Sequence, residues 1–570
     1  MAYETHTKKP SDSDGPRNTR IPGIAATARL EKAPTFIQGM DEILEGGLPR
    51  SRTTVVNGAS GSGKTLLGLE FLYRGALHGE PGIFIGFEEP PEQIRVNAAT
   101  LGWDLPALEE QNRLFLLDAR LKPETLRSGN FSLKGLLAIA AGKCRSMGAR
   151  RIVIDALEVA LRLFDTPRQV RNELHALNDW LQAAGLTTIL TFRPSLRGEA
   201  SIYEDFFESM GDCIIALDAR VTEQISTRRL RVVKYRGSGF GRNEYPYVIS
   251  HTGLRMAAIT SVGLRHKPLG EKISTGNARM DEILDGGYRR GSCILLAGLP
   301  GAGKTTLAAT FVASACARGE RVLYISFEES DAAMVNNMLS TGVVLQPHIE
   351  AGRLAFLTRY PESLGAEEHY FAALERIEAF SPAHVVVDAI SACYRMGGKQ
   401  AAFEYLMRLL NACKERGITI MLLNQITGAT SYMEISGNEI SSMVDTAIFL
   451  HYEFSLGETN RVFQVLKSRG SRHSNQKREF RLTDNGFEVV DVYLGEGDVL
   501  TGTARQRQEE RDLLESQRLT YEIEMKELEL KRLRLIQEQM HKARARRAAM
   551  AHPEKPSLFD APPSPENPRS

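Results

Sequence analysis

Two tandem α/β nucleotide-binding units followed by one long helix are the architecture this sequence predicts, and three observations predict it. The Walker A pattern occurs twice, as Gly58-Ala59-Ser60-Gly61-Ser62-Gly63-Lys64-Thr65 and as Gly298-Leu299-Pro300-Gly301-Ala302-Gly303-Lys304-Thr305. The residues around it repeat as well: Met40-Asp41-Glu42-Ile43-Leu44-Glu45-Gly46-Gly47 returns as Met280-Asp281-Glu282-Ile283-Leu284-Asp285-Gly286-Gly287, at the same offset of 240 that separates Lys64 from Lys304. From Thr503 to His552 the texture changes to Glu, Arg, Lys and Leu without a glycine or proline.

Each Walker A match has the context it needs. Apolar runs, Thr53-Thr54-Val55-Val56-Asn57 and Ser292-Cys293-Ile294-Leu295-Leu296-Ala297, precede the loops, helical runs follow each lysine, and Leu66 and Thr306 join the loop residues as candidate ATP contacts. In such a loop glycines let successive N–H groups face phosphate oxygens, the lysine meets the β- and γ-phosphates, and the threonine hydroxyl reaches Mg²⁺. One chance match is expected in roughly 2% of chains this long, so two are not accidental.

Further along, the offset becomes 233, which relates Asp155 to Asp388, Lys234 to Lys467 and Arg236 to Arg469. A net deletion of about seven residues between Glu328 and Asp388 accounts for the change. Apolar strands alternate with helical runs throughout, the pattern of a parallel sheet covered on both faces. Residues 1–20 read as a disordered tail, 21–260 as the first unit, 261–500 as the second, 501–552 as the helix and 553–570 as a proline-rich mobile tail.

The helix carries two imperfect apolar seams: Leu514, Tyr521, Leu528 and Leu535, and Leu519, Ile523, Leu530, Leu533 and Met540. Arg518, Arg532 and Gln539 interrupt the first seam, so no clean parallel dimer is demanded, yet so amphipathic a helix is expected to find a partner.

Chemistry requires carboxylates. Asp155 and Asp388 end apolar strands, where a Walker B aspartate helps hold the Mg²⁺ shell. Alanine follows each, so the carboxylate that activates the attacking oxygen comes from elsewhere. Glu88-Glu89 and Glu328-Glu329 end the strand after each P-loop helix and face the ligand crevice, which makes them the candidate bases. Near the end of each unit stand Lys234-Tyr235-Arg236-Gly237-Ser238 and Lys467-Ser468-Arg469-Gly470-Ser471. Late in a RecA-like unit, such cations are candidates to reach a neighbouring subunit's nucleotide and stabilise charge on its γ-phosphate, which requires a ring.

The order P-loop, Phe-Glu-Glu, strand aspartate and Lys-x-Arg-Gly-Ser, repeated within one chain, resembles the bacterial circadian clock family KaiC over about residues 30–490. The resemblance implies two RecA-like domains per subunit, stacked as a double-ring hexamer with ATP and Mg²⁺ at subunit interfaces. The first domain would hydrolyse ATP, and the second would act as autokinase and autophosphatase. By position it makes Glu88 and Glu328 the two bases and sets Thr65, Thr305 and Glu328 near Mg²⁺. Lys467, Arg469 and Arg461 then meet the ATP of the next subunit. The acceptor hydroxyls fall on Ser441 and Ser442, where the family usually has serine then threonine. The first copy has Glu208 and Ser209 at these positions, so only the second presents a hydroxyl pair. A KaiB-like partner is implied. The family's clock form ends in a short segment that KaiA engages, whereas a long helix follows Gly502 here, so control by KaiA is not expected. That helix would instead join hexamers into a dodecamer or pack along the second ring.

Composition bounds the alternatives. A formal net charge of +1 gives no general attraction to nucleic acid or anionic membrane, although Arg544, Arg546 and Arg547 are available to phosphate. No run of apolar residues is long enough to span a bilayer, and six scattered cysteines without a CxxC suggest neither zinc nor disulfides, so a cytoplasmic location is expected. A RecA-type motor on DNA and a nucleotide-gated signalling scaffold remain the rival readings. The first predicts turnover stimulated by DNA with a steep salt dependence.

Overall fold

The computed structural model describes residues 30–120, 133–164, 166–194, 201–222, 224–256, 266–426, 442–455, 458–484, 486–490 and 501–550. Both tails, most of the joint between the units and Ser441 lie outside these residues.

The first sheet comprises β1 (Thr53–Gly58), β2 (Gly82–Gly86), β3 (Leu114–Asp118), β4 (Arg151–Asp155), β5 (Thr187–Phe192), β6 (Cys213–Thr222), β7 (Ile225–Tyr235), β8 (Glu244–Ser250) and β9 (Gly253–Met256). Their spatial order is β9-β8-β7-β6-β1-β5-β4-β2-β3. Strands β1 to β6 are mutually parallel, and β7 to β9 continue the sheet antiparallel.

The second sheet repeats this arrangement with β10 (Cys293–Gly298), β11 (Val322–Ser326), β12 (Leu354–Thr358), β13 (His384–Asp388), β14 (Thr419–Gln425), β15 (Thr446–Ser455), β16 (Glu458–Ser468), β17 (Arg478–Thr483) and β18 (Gly486–Val489), again with the P-loop strand fifth of nine. The molecule therefore contains two tandem RecA-like P-loop domains. β1 and β10 are buried along almost their whole length because sheet neighbours and helices enclose them. That enclosure explains why these strands read as continuous apolar runs rather than alternating ones.

Helices α1 (Lys64–Leu77) and α2 (Lys304–Ala317) leave the P-loops and cover one face of each sheet. The repeated Met-Asp-Glu-Ile-Leu motif is structural. Asp41 accepts from Thr35 N–H and Thr35 Oγ1 at 2.7 Å each, and Asp281 accepts from Thr275 N–H at 2.7 Å and Ser274 Oγ at 2.6 Å. Gly47 and Gly287 permit the turn beyond, where an added Cβ would stand 2.2 Å from Ala33 O and 2.1 Å from Ile273 O.

The repeats diverge in one buried ion pair. Arg151 has no exposed surface and donates to Glu80 Oε2 (2.7 Å), Phe71 O and Pro34 O (2.8 Å each), while its counterpart His384 makes a 3.0 Å contact with Glu320. Replacing Arg151 strands two carbonyls and half of Glu80's partners in a region closed to water. Arg151→Met is therefore expected to cost the first domain about 3 kcal/mol, read as an earlier first transition in urea.

The domains of one chain meet through charge. Arg229 on β7 pairs with Glu367 (3.1 Å) and Glu404 (3.6 Å) of α3 (Ala366–Phe380) and α4 (Gly398–Arg416), and Arg255 on β9 pairs with Glu375 while its guanidinium lies 4.9 Å from the Phe371 ring. Helix α5 (Gly502–Met550) starts on the second sheet and extends about 74 Å at 1.5 Å per residue. Carboxylates sit at its positive end: Gly502 N–H donates to Glu479 at 2.9 Å and Thr503 N–H to Glu458 at 3.0 Å. Its apolar side chains, including Leu514, Tyr521, Leu528 and Leu535, are exposed in the single chain. Among the described residues, no helix is long and apolar enough to cross a membrane.

Candidate nucleotide sites

The loops after β1 and β10 have the backbone that a phosphate cradle needs. Gly61 and Gly63 lie at φ 78° and 86°, Gly301 and Gly303 at 70° and 96°, a region that disfavours side chains. Gly58 and Gly298 serve a different purpose: a Cβ there would come within 2.5 Å of Leu217 O and 2.2 Å of Leu450 O, so glycine lets the adjacent strand approach. Ser62 and Ala302 are fully buried and shape the loops from beneath. Ser62 Oγ donates to Ala59 O at 2.8 Å. Lys64 Nζ lies 2.8 and 3.0 Å from Gly58 O and Ala59 O, and Lys304 Nζ lies 3.0 and 2.9 Å from Gly298 O and Leu299 O. Burial lowers the pKa of both lysines. A polyanion that takes over from two neutral carbonyls would be the stronger partner.

Ser60, Gly61, Gly63, Lys64, Thr65 and Leu66 line a cleft of about 350 Å³ together with Glu88, Glu89, Asp155, Glu158, Thr191 and Arg193. Thr65 Oγ1 donates to Asp155 at 2.9 Å, and Thr305 Oγ1 donates to Asp388 at 3.1 Å. The P-loop threonine and the strand aspartate thus meet in both copies although 90 and 83 residues separate them. Such a pair suits Mg²⁺, which keeps most of its waters and takes few protein ligands.

Their further partners were not legible in the sequence. Thr191 Oγ1 donates to Asp155 at 2.6 Å, whereas Tyr324 OH donates to Asp388 at 2.7 Å. Burial raises the pKa of both aspartates, that of Asp388 to about 6.

The direction of that shift makes a prediction. A carboxyl whose folded-state pKa is raised stabilises the fold most below its unfolded pKa, near 3.8, and the contribution is lost as pH rises through about 6. Asp388→Asn is therefore expected to raise the melting temperature of the nucleotide-free chain at pH 8 and to change it little at pH 4.5, read by calorimetry.

Geometry separates the members of each acidic pair. Glu89 and Glu329 accept from Asn97 and Asn337 at 3.2 Å each, eight residues onward in both copies, and Glu329 N–H donates to Ser326 Oγ at 3.1 Å. Glu88 and Glu328 are exposed at the strand ends, and their charges act on Lys64 with Asp155 and on Lys304 with Asp388, respectively. The first glutamate of each pair is the one whose charge acts on the P-loop lysine and the strand aspartate.

The late cations stand elsewhere. Lys467 and Ser468 pair with Ala447 and Thr446 at the start of β15, beside the start of β10, whereas the P-loop leaves its far end. Five residue steps along β10 separate the two ends by about 16 Å. Asp445 organises this distal edge: its N–H donates to Cys293 O at 2.8 Å, its carboxylate accepts from Cys293 N–H and Lys414 Nζ at 2.9 Å each, and its carbonyl accepts from Arg469 N–H at 2.8 Å.

Ser442, exposed, lies three residues before Asp445 on the same edge. Gly470 O accepts from Arg289 at 3.0 Å, and the Ser471 hydroxyl is buried. In the first domain Arg236 donates to Ser209 O at 3.1 Å, Lys234 donates to Glu208 O, and Ser238 Oγ donates to Gly239 O at 2.8 Å. Arg461 differs from this group, because its Nε reaches Gly301 O of its own loop at 3.4 Å. Pro300 O accepts from Tyr452 OH at 3.3 Å, and Thr306 is buried in the first turn of α2. Each chain therefore carries a phosphate cradle at one end of each sheet and a cationic edge at the other.

The model of the family described as "ATPase: KaiC" matches residues 33–261 and again 273–492. The chain belongs to the KaiC family. It is 38% identical over 510 residues to the "Circadian clock protein KaiC2" of Synechocystis sp., covering 88% of this chain and 89% of that one. It is 33% identical over 505 residues to the "Circadian clock oscillator protein KaiC" of Parathermosynechococcus lividus, covering 88% and 93%, and 34% identical over 482 residues to that of Synechococcus elongatus, covering 83% and 92%. A P-loop ATPase family with use of ATP and Mg²⁺ accords with the residues at both KaiC clefts.

Proposed function

We propose that this KaiC-family chain is an ATP-dependent serine/threonine autokinase and autophosphatase with ATPase activity, built as a double-ring homohexamer in a circadian or timing/stress signalling system. The observation that carries this reading is the separation of parts within one chain. The P-loop, Glu328 and Asp388 stand at one end of the second sheet, while Lys467, Arg469 and Ser442 stand at the other. A cradle and a cationic edge on opposite ends are complementary between copies, and a head-to-tail interface of this kind builds a ring wherever the rotation between copies closes.

Bound MgATP supplies the electrophilic γ-phosphorus and its charge-neutralising metal. The loop amides and Lys304 would hold the phosphates, and Thr305 with Asp388 would hold the metal. Glu328 takes the proton of the attacking hydroxyl as its oxygen bonds to the γ-phosphorus, the bond from that phosphorus to the β-phosphate's bridging oxygen breaks, and ADP leaves. The hydroxyl comes from Ser441 or Ser442 of the adjacent subunit, whose Lys467 and Arg469 offset the growing charge on the γ-oxygens. In the first domain Glu88 performs the same step on water, because that copy has no serine pair at the corresponding position.

The exposed apolar stripe of α5 supports pairing with a second copy, which would join two hexamers into a dodecamer. A KaiB-like protein is the expected partner of the first ring, and KaiA is not expected to act.

Incubation of the purified chain with ATP and Mg²⁺, followed by phosphosite mapping and measurement of particle mass, tests the proposal. Phosphate on Ser441 and Ser442 in a particle of six or twelve subunits is the expected result. A monomer that hydrolyses ATP normally overturns it.

A further inference from the structure

The two domains differ also at the residue three positions after the strand aspartate, Glu158 in the first and Ser391 in the second. Glu158 lies three residues beyond Asp155, in the first turn of the short helix Leu157–Leu161, and lines the first cleft with Lys64, Glu88 and Arg193. Its Oε1 accepts from Arg193 N–H at 3.1 Å. The second domain keeps this backbone donor but changes the acceptor: Gln425 N–H donates to Ser391 Oγ at 3.4 Å, and Ser391 follows Asp388 by the same three residues. An anion in the first cleft thus replaces a neutral hydroxyl in the second. The other carboxylate oxygen of Glu158 is shielded from solvent and has no hydrogen-bond partner. Its charge acts on Lys64 more strongly than that of Asp155 or Glu88.

We propose that Glu158 is a specificity-determining residue that makes the first cleft accept ATP only together with a divalent cation. The inference rests on the nucleotide reading of that cleft. Four carboxylates, Glu88, Glu89, Asp155 and Glu158, line the cleft there, opposed by Lys64 and Arg193. Metal-free ATP, a polyanion, meets this field unrelieved, whereas bound Mg²⁺ would offset much of the phosphates' charge and so relieve the repulsion from Glu158. In the second domain Ser391 and Gln425 stand in place of Glu158 and Arg193, so the carboxylate and its opposing guanidinium are both missing there.

The test uses the full chain carrying Lys304→Ala, so that the first cleft reports alone, and titrates a fluorescent N-methylanthraniloyl ATP in Mg²⁺ and in EDTA. The ratio of the two dissociation constants measures metal dependence. Glu158→Gln keeps the shape and the bond from Arg193 N–H, and it is expected to lower this ratio about tenfold, mainly by tighter metal-free binding, as expected for removing one charge at intermediate dielectric. Reciprocally, Ser391→Glu in a Lys64→Ala chain is expected to raise the ratio at the second cleft. Unchanged ratios in both variants overturn the role of Glu158. Probe binding that survives Lys64→Ala with Lys304→Ala in one chain overturns instead the nucleotide reading on which it rests.

Discussion

Glu328→Gln is expected to slow the appearance of phosphate on Ser441 and Ser442 by about 10²- to 10⁴-fold, the usual worth of a positioned general base, while ATP hydrolysis in the first domain continues. The exchange of carboxylate for amide leaves size and hydrogen-bonding reach nearly intact but removes the proton acceptor. Glu328 is the member of its pair whose charge acts on Lys304 and Asp388. Its neighbour Glu329 is occupied by Asn337 and by the turn around Ser326, so Glu329→Gln is expected to change the rate only several-fold. Phosphosite mapping over time after dephosphorylation separates the two. Equal losses in both variants would mean that the pair acts as one electrostatic unit rather than as base and support. Undiminished phosphate in Glu328→Gln would assign the chemistry to another carboxylate or to a separate kinase.

The parts of this site that sequence reveals are those whose spacing is set by the backbone. A P-loop is contiguous, so its glycines, lysine and threonine are visible as a string, and the duplication exposes the rest of the repeat by comparison of the chain with itself. Strand-end residues such as Asp155 and Glu88 are visible because an apolar run stops at them. Contacts made across the fold are not visible in this way. Tyr324 points its hydroxyl at Asp388 where the first copy has Phe84, and Thr191 performs that task on a different strand, so neither residue is marked by the repeat. Glu158 is hidden for the same reason: only the fold brings the first turn after Asp155 beside the N–H of Arg193. Asp445 reads as one acidic residue before a strand, yet it fixes the lysine-arginine turn and the segment following Ser442 to the same strand edge.

That shared edge yields the second large effect. In the proposed ring the serines and the completing cations come from one protomer and the nucleotide from its neighbour, so two individually dead variants are expected to restore each other. Lys304→Ala removes the cradle's lysine but keeps both serines. Ser441→Ala with Ser442→Ala keeps the cradle but has no acceptor. Each expressed alone is expected to carry no phosphate at these positions. Co-expressed in equal amounts, they should yield phosphate on up to about half of the Lys304→Ala subunits, the fraction with a competent neighbour in a randomly mixed cyclic ring. Adding Lys467→Ala and Arg469→Ala to the Lys304→Ala subunit should then remove most of the recovered signal, because the missing cations complete the very cleft that donates to it. Transfer within a protomer predicts no phosphate in the mixture, since the only chain with an acceptor has lost its cradle. The roughly 16 Å between the two ends of β10 makes the distinction sharp, as no side-chain rotation spans it.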